Sequence, residues 1–103
     1  MKFETSARFD GDVERLTKGE QQLFMRVLQQ RFIPACDRYA ADPSSRWPAG
    51  LRVKPVQSKL GILEMTWSFS GPDGRATFEF VTVDGQLRVR WRRVGGHDIF
   101  GQP

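Results

Sequence analysis

Four arginines fall within six positions, Arg88, Arg90, Arg92 and Arg93, and the chain's one histidine, His97, follows across a pair of glycines. The stretch from Gln86 to Phe100 reads QLRVRWRRVGGHDIF, so Leu87, Val89 and Trp91 alternate with Arg88, Arg90 and Arg92. Successive side chains of a strand point to opposite faces, and the pattern predicts a strand with one apolar and one cationic face. Guanidinium groups at that spacing can hold several phosphates and stabilise charge that develops on one of them. An imidazole at the rim can accept a proton from a ribose hydroxyl and return one to a leaving oxygen. Together these residues point to a surface that handles RNA. Two plainer readings stand beside it. Charge runs commonly form a solvated face, here with Glu64 and Glu79 as partners for the arginines, and a single surface histidine is commonly inert. Asp98 can orient the ring or cap the turn, and capping is the expected role.

Absent motifs narrow the chemistry further. One His and one Cys cannot build a zinc site of the usual kind, and the chain has no Walker loop, dinucleotide fingerprint or nucleophile elbow. Cys36 lies on an apolar helix stripe and is expected in the core. Any cleavage would thus need neither metal nor cofactor, the substrate's own 2′-hydroxyl attacking the neighbouring phosphate. DNA could be bound by such a surface but not cut this way. A net charge of +4 over 103 residues suits a polyanionic partner. Apolar content of 39%, with eight Phe and three Trp, predicts one globular domain over residues 1–103. The lone cysteine excludes an intrachain disulfide and points to the cytoplasm. Nothing reads as a signal peptide, and no apolar run approaches the ~20 residues of a spanning helix, so no membrane association is expected.

The elements that must position these groups can be read in order. Alternation from Phe3 to Phe9 predicts a first strand, followed by a short helical turn over Asp10–Leu16. Thr17 and Glu20 have the spacing of a capping box. Phe24, Val27, Leu28, Phe32, Ala35, Cys36 and Tyr39 then form one helical stripe, and Pro34 predicts a kink or break with a second segment to about Ala41. Asp42–Gly50 reads as a loop. Leu51–Val56 is expected as a second strand with Arg52 and Lys54 on its polar side. A third strand over Ile62–Phe69, a turn at Gly71–Gly74 and a fourth strand over Arg75–Val83 follow. Asp84-Gly85 suits a two-residue hairpin. That hairpin pairs Val83 with Gln86, Phe80 with Val89, Glu79 with Arg90, Phe78 with Trp91 and Thr77 with Arg92. Pairing Ser70 with Arg75 would set Trp67 opposite Phe78. Arg93 breaks the alternation, so a bulge is expected near it. The fold class is α+β: an N-terminal strand, a kinked helix or helical hairpin, then a twisted antiparallel sheet with helices on one face. Its open face would collect Arg52, Lys54, Glu64, Thr66, Arg75, Thr77, Glu79, Arg88, Arg90 and Arg92.

This order of elements resembles the RelE/ParE superfamily of type II toxin–antitoxin toxins. The ending Arg92-Arg93-Val94-Gly95-Gly96-His97-Asp98-Ile99-Phe100 is similar to the Arg-x-Gly-(Ser/Thr)-His-x-x-Phe ending of its mRNA interferases, with Gly96 in place of Ser or Thr. Leu51–Lys54, Gly61–Met65 and Gly74–Glu79 resemble the family's middle strands. The resemblance implies a toxin that enters the ribosomal A site, cuts mRNA there, and is silenced by a cognate protein antitoxin. It makes His97 the catalytic histidine, Arg75 the transition-state arginine, aided by Arg92, and Phe100 the aromatic that positions a base. Arg52, Lys54, Arg88 and Arg90 would bind substrate by their place on the face. Within the same resemblance lie a ParE-like gyrase poison that acts by binding, and a phage-derived relative that keeps the fold as a non-catalytic binding module.

Overall fold

The computed structural model describes residues 1–68 and 73–103. Its elements are β1 (Lys2–Thr5), α1 (Ala7–Arg15), α2 (Lys18–Val27), α3 (Ile33–Ala41), β2 (Lys54–Pro55), β3 (Leu63–Ser68), β4 (Gly74–Val83) and β5 (Gln86–Gly95). The strands form one sheet in the order β1-β5-β4-β3-β2. Neighbours from β2 to β5 are antiparallel, as expected, whereas β1 joins the edge of β5 in parallel and makes the sheet mixed.

The first strand is shorter than alternation predicts. Ser6 takes an extended backbone and its hydroxyl accepts from the Phe9 N–H, so the chain turns into α1 where the strand was expected to run on to Phe9. Phe9 still reaches the core, but from a helix. The capping box at Thr17 and Glu20 forms as predicted. Pro34 does not break the helical path. The turn Leu28–Phe32 widens instead, with the Ile33 N–H bonded to the Leu28 carbonyl five residues back. That π turn gives the proline ring room and absorbs its missing donor.

The aromatic side of the sheet carries the core. Phe32 lies 4.9 Å from Trp91 and 5.1 Å from Phe78 between ring centroids, and Phe24 meets Trp91 edge-on at 5.6 Å. Trp47, from the loop after α3, stacks on Phe32 and Tyr39. Cys36 is fully buried here, as expected, and burial, with Asp37 adding to it, pushes its thiol up to about 12.

The β4–β5 hairpin turns at Asp84 and Gly85, both with positive φ, and pairs Val83 with Gln86, Phe80 with Val89, Glu79 with Arg90 and Phe78 with Trp91 as predicted. The next pair is corrected: Thr77 faces Arg93, because Arg92 is the extra residue of a bulge. A second bulge lies across β4, where Trp67 is the extra residue between Thr66 and Ser68. Trp67 does not face Phe78, whose partner on β3 is Leu63: the Ser68–Gly74 pair already departs from the predicted register, and the bulge moves it one residue further. The indole lies over Gly74, where a Cβ would come within 2.5 Å of the ring, and its Nε1 donates to the Arg75 carbonyl at 2.9 Å. Alternation within a strand does not register a bulge of this kind. Phe69, Ser70 and the first half of the predicted Gly71–Gly74 turn lie outside the described residues. The second strand also shrinks from Leu51–Val56 to Lys54–Pro55, because Ala49–Leu51 form a 3-10 turn and Arg52 takes a left-handed φ of 49°.

Candidate functional site

Two bulges flank the Arg75 end of β4, one in each neighbouring strand. Bulges raise local twist and re-aim side chains, so this end of the sheet departs most from a flat ladder. Register sets Arg75 opposite Gly95, two residues before His97. The chain then leaves the sheet into a 3-10 turn, His97–Gly101, whose start is held by the Asp98 carboxylate accepting from the Gly96 N–H at 3.2 Å. Asp98 thus caps the turn. The His97 imidazole is exposed and meets Phe100 edge-on at 5.7 Å.

Arg75 is not displayed on an open surface. It is 9% exposed and donates to the Thr66 hydroxyl and, at 3.3 Å, to Asp73. Thr66 and Thr77 are buried beside it in the sheet. The expectation of a bare polar face is corrected in this respect; the His97–Gly101 turn lies against β4 and β5, and Ile99 and Pro103 of the tail are buried as well.

Away from that end the face is a ladder of alternating charge. Glu4, opposite Arg90, approaches Arg88 at 3.7 Å and Arg90 at 3.2 Å. Glu79, on the other side of β5, approaches Arg90 at 3.6 Å and Arg92 at 2.8 Å. Lys54 pairs with Glu64 at 3.6 Å but keeps its ammonium in solvent. Arg52, exposed beyond the short β2, stands apart from this ladder in the sheet order. The predicted pairing of arginines is present at Glu79, with Glu4 as a further partner, whereas Glu64 pairs with Lys54; the arginines remain half-exposed and able to exchange a carboxylate for a phosphate.

Residues outside the predicted set hold the Arg92 bulge in place. Ser6 donates its hydroxyl to the Arg92 carbonyl at 3.0 Å. Asp12, a buried carboxylate on α1, accepts from Arg93 Nε at 2.6 Å, from Arg93 Nη2 at 3.1 Å and from the Val94 N–H at 3.1 Å. Hydrogen bonding to Asp12 raises the already high pKa of Arg93 further. Arg93 is thus turned from the ladder toward α1, which accounts for the break in alternation. The available signals were an acid set among Phe9, Val13 and Leu16 on one helical stripe, and Ser6 at capping distance from Phe9. Among the described residues no group of His, Cys, Asp or Glu is arranged to hold a metal ion, and no helix is long and apolar enough to cross a membrane.

No protein-family model and no curated protein matches the chain. A search of solved structures finds a chain of the intact E. coli RelBE toxin–antitoxin complex at 13% identity and a TM-score of 0.54, covering 92% of this chain and 94% of that one. At that identity the likeness establishes shared architecture: the protein has a RelE-type fold.

Proposed function

We propose that the protein is the toxin of a type II toxin–antitoxin system, an endoribonuclease that cuts mRNA on the ribosome without a metal ion and is silenced by a protein antitoxin. The observation that carries this reading is the β4–β5 register, which sets Arg75 opposite Gly95 at the doubly bulged sheet end, with the chain's one imidazole two residues on. In this mechanism His97 takes the proton from the attacking 2′-hydroxyl or gives one to the 5′-oxygen that leaves. Arg75 and Arg92 stabilise the added negative charge of the pentacoordinate phosphate. Arg88, Arg90, Arg52 and Lys54 bind flanking phosphates, and Phe100, already edge-on to His97, offers a ring against which a base can stack. The RelE-type fold and the antitoxin bound in the E. coli complex support the toxin role. Replacing His97 by Gln is expected to leave folding intact and to abolish mRNA cleavage and growth arrest, read by primer extension after induction. Cleavage at the wild-type rate would remove His97 from the mechanism.

One observation favours a second reading. The Asp98 carboxylate is directed at the Gly96 N–H and gives His97 no orienting partner, as suits a protein that acts by binding alone, such as a gyrase poison. Double-strand breaks with intact mRNA after induction would select it.

A further inference from the structure

On a chain of net charge +4, one apolar groove has acidic groups and, among the described residues, no basic ones on its walls. The groove, of about 640 Å³, runs beside β1, with Phe3, Phe9, Phe24 and Met25 among its lining side chains. Its acids are Asp10 and Glu14, one turn apart on α1. Both are exposed, and among the described residues neither has an ion-pair partner. Beside the groove, β1 is the outer strand of the sheet. Ser6 donates its N–H to the Trp91 carbonyl at 3.1 Å, and successive residues of a strand direct their backbone groups to alternate sides. Lys2 and Glu4 therefore direct theirs to β5 as Ser6 does, while Phe3 and Thr5 turn theirs outward, where among the described residues nothing meets them. The side chains of Phe3 and Thr5 line the groove, whereas Glu4 stands on the other face, bound to Arg88 and Arg90. Open backbone groups, apolar space and unmatched acid thus adjoin one another. An exposed strand edge is a template for a further strand. A strand added to β1 would lie ~4.8 Å from it and send every second side chain into the groove. Asp10 and Glu14 favour cations at its rim and oppose nucleic acid. A second copy of this chain, pairing through the same patch, would bring further carboxylates instead.

We propose that the edge of β1 and this groove form a docking site for an extended, basic segment of a partner protein. Of the side chains that such a segment turns toward the groove, the central ones are apolar and fill it, and the flanking ones are Lys or Arg and meet Asp10 and Glu14. Its backbone pairs with Phe3 and Thr5. The inference goes beyond the proposed reaction and stands whether or not the chain cuts RNA.

The test titrates the isotopically labelled full chain with the capped peptide Lys-Thr-Val-Thr-Val-Thr-Lys. The peptide should bind, slow amide hydrogen exchange at Phe3 and Thr5, and bind more weakly as salt rises. Asp10→Asn with Glu14→Gln should weaken binding several-fold and flatten that salt dependence. Thr5→Pro removes an outward N–H and leaves the bonds to β5 in place, so it should abolish binding while the Ser6 amide stays protected. If Thr5→Pro loses the Ser6 protection, the charge variant decides alone. No binding even in low salt, equal binding by the counterpart with Glu for both Lys, or binding that leaves Phe3 and Thr5 unprotected overturns the proposal. Binding unchanged in the charge variant does so too. Self-association of the free chain that protects the same amides also overturns it, since the edge would then belong to a second copy.

Discussion

The two faces of the sheet are organised by different physics. On the helix-covered side, Phe32, Phe24, Phe78 and Trp91 fill space against one another at ring separations near 5 Å. Stabilisation there is non-directional and scales with area removed from water. On the other side, position is set by discrete charge pairs, Glu4 with Arg88 and Arg90, and Glu79 with Arg90 and Arg92. Half-exposed pairs of this kind contribute little stability, so they hold the arginines in register without committing them. The comparison teaches that one face supplies the fold's stability while the other keeps its charges exchangeable. Asp12 is where the two meet, since it is buried with the core helices yet fixes the direction of Arg93.

Breaking the aromatic side should have the largest effect. Trp91→Ala is expected to cost about 3–5 kcal/mol in urea denaturation, from lost burial and a residual cavity. A loss under about 1 kcal/mol would mean that the aromatic cluster is not the main source of stability. Asp12→Ala comes next. It leaves the Val94 N–H and a mostly buried Arg93 without their acceptor, and should cost about 2–3 kcal/mol, somewhat less than a fully buried pair because Arg93 keeps some contact with water. It should also weaken cleavage by freeing the bulge. Glu79→Gln should change stability by less than about 1 kcal/mol, yet tighten RNA binding several-fold by releasing Arg90 and Arg92; unchanged binding would show that the ladder does not compete with RNA. The smallest effect is confined to alkaline solution. The Cys36 thiol ionises near 9.0 in the unfolded chain and about 12 in the folded one, so above pH 9 the folded state binds the extra proton. That stability is intact below pH 9 and declines as pH rises toward 12, and the decline should be shallower in Cys36→Ala, measured by denaturation across that range.

Much of the architecture was legible because it depends on local periodicity. The Asp84-Gly85 turn, the pairing from Val83 to Phe78, the Thr17–Glu20 capping box and the helix end at Ala41 are all encoded within a few residues of where they act. What was hidden depends on contacts distant in sequence. The bulge at Trp67 accompanies an indole packed over Gly74, the parallel docking of β1 comes from the far end of the chain, and the capture of Arg93 from a carboxylate on α1. For the site, sequence spacing indicated that His97 follows the arginine strand and that Asp98 caps its turn. It gave no sign that Arg75 would be buried and bound to Thr66 and Asp73, nor that Glu4 would stand between Arg88 and Arg90, since that requires the β1–β5 pairing.

That pairing also bears on how the molecule comes into being. Lys2 aligns with Arg88, so during synthesis the first strand has no neighbour until the last one has been made, an interval of roughly 4–17 s at typical elongation rates. Phe3 stays without its Trp91 partner throughout that wait. The arginine ladder and its aromatic backing therefore assemble in a single late event, and a nascent chain has no complete cationic face before its hydrophobic interior closes.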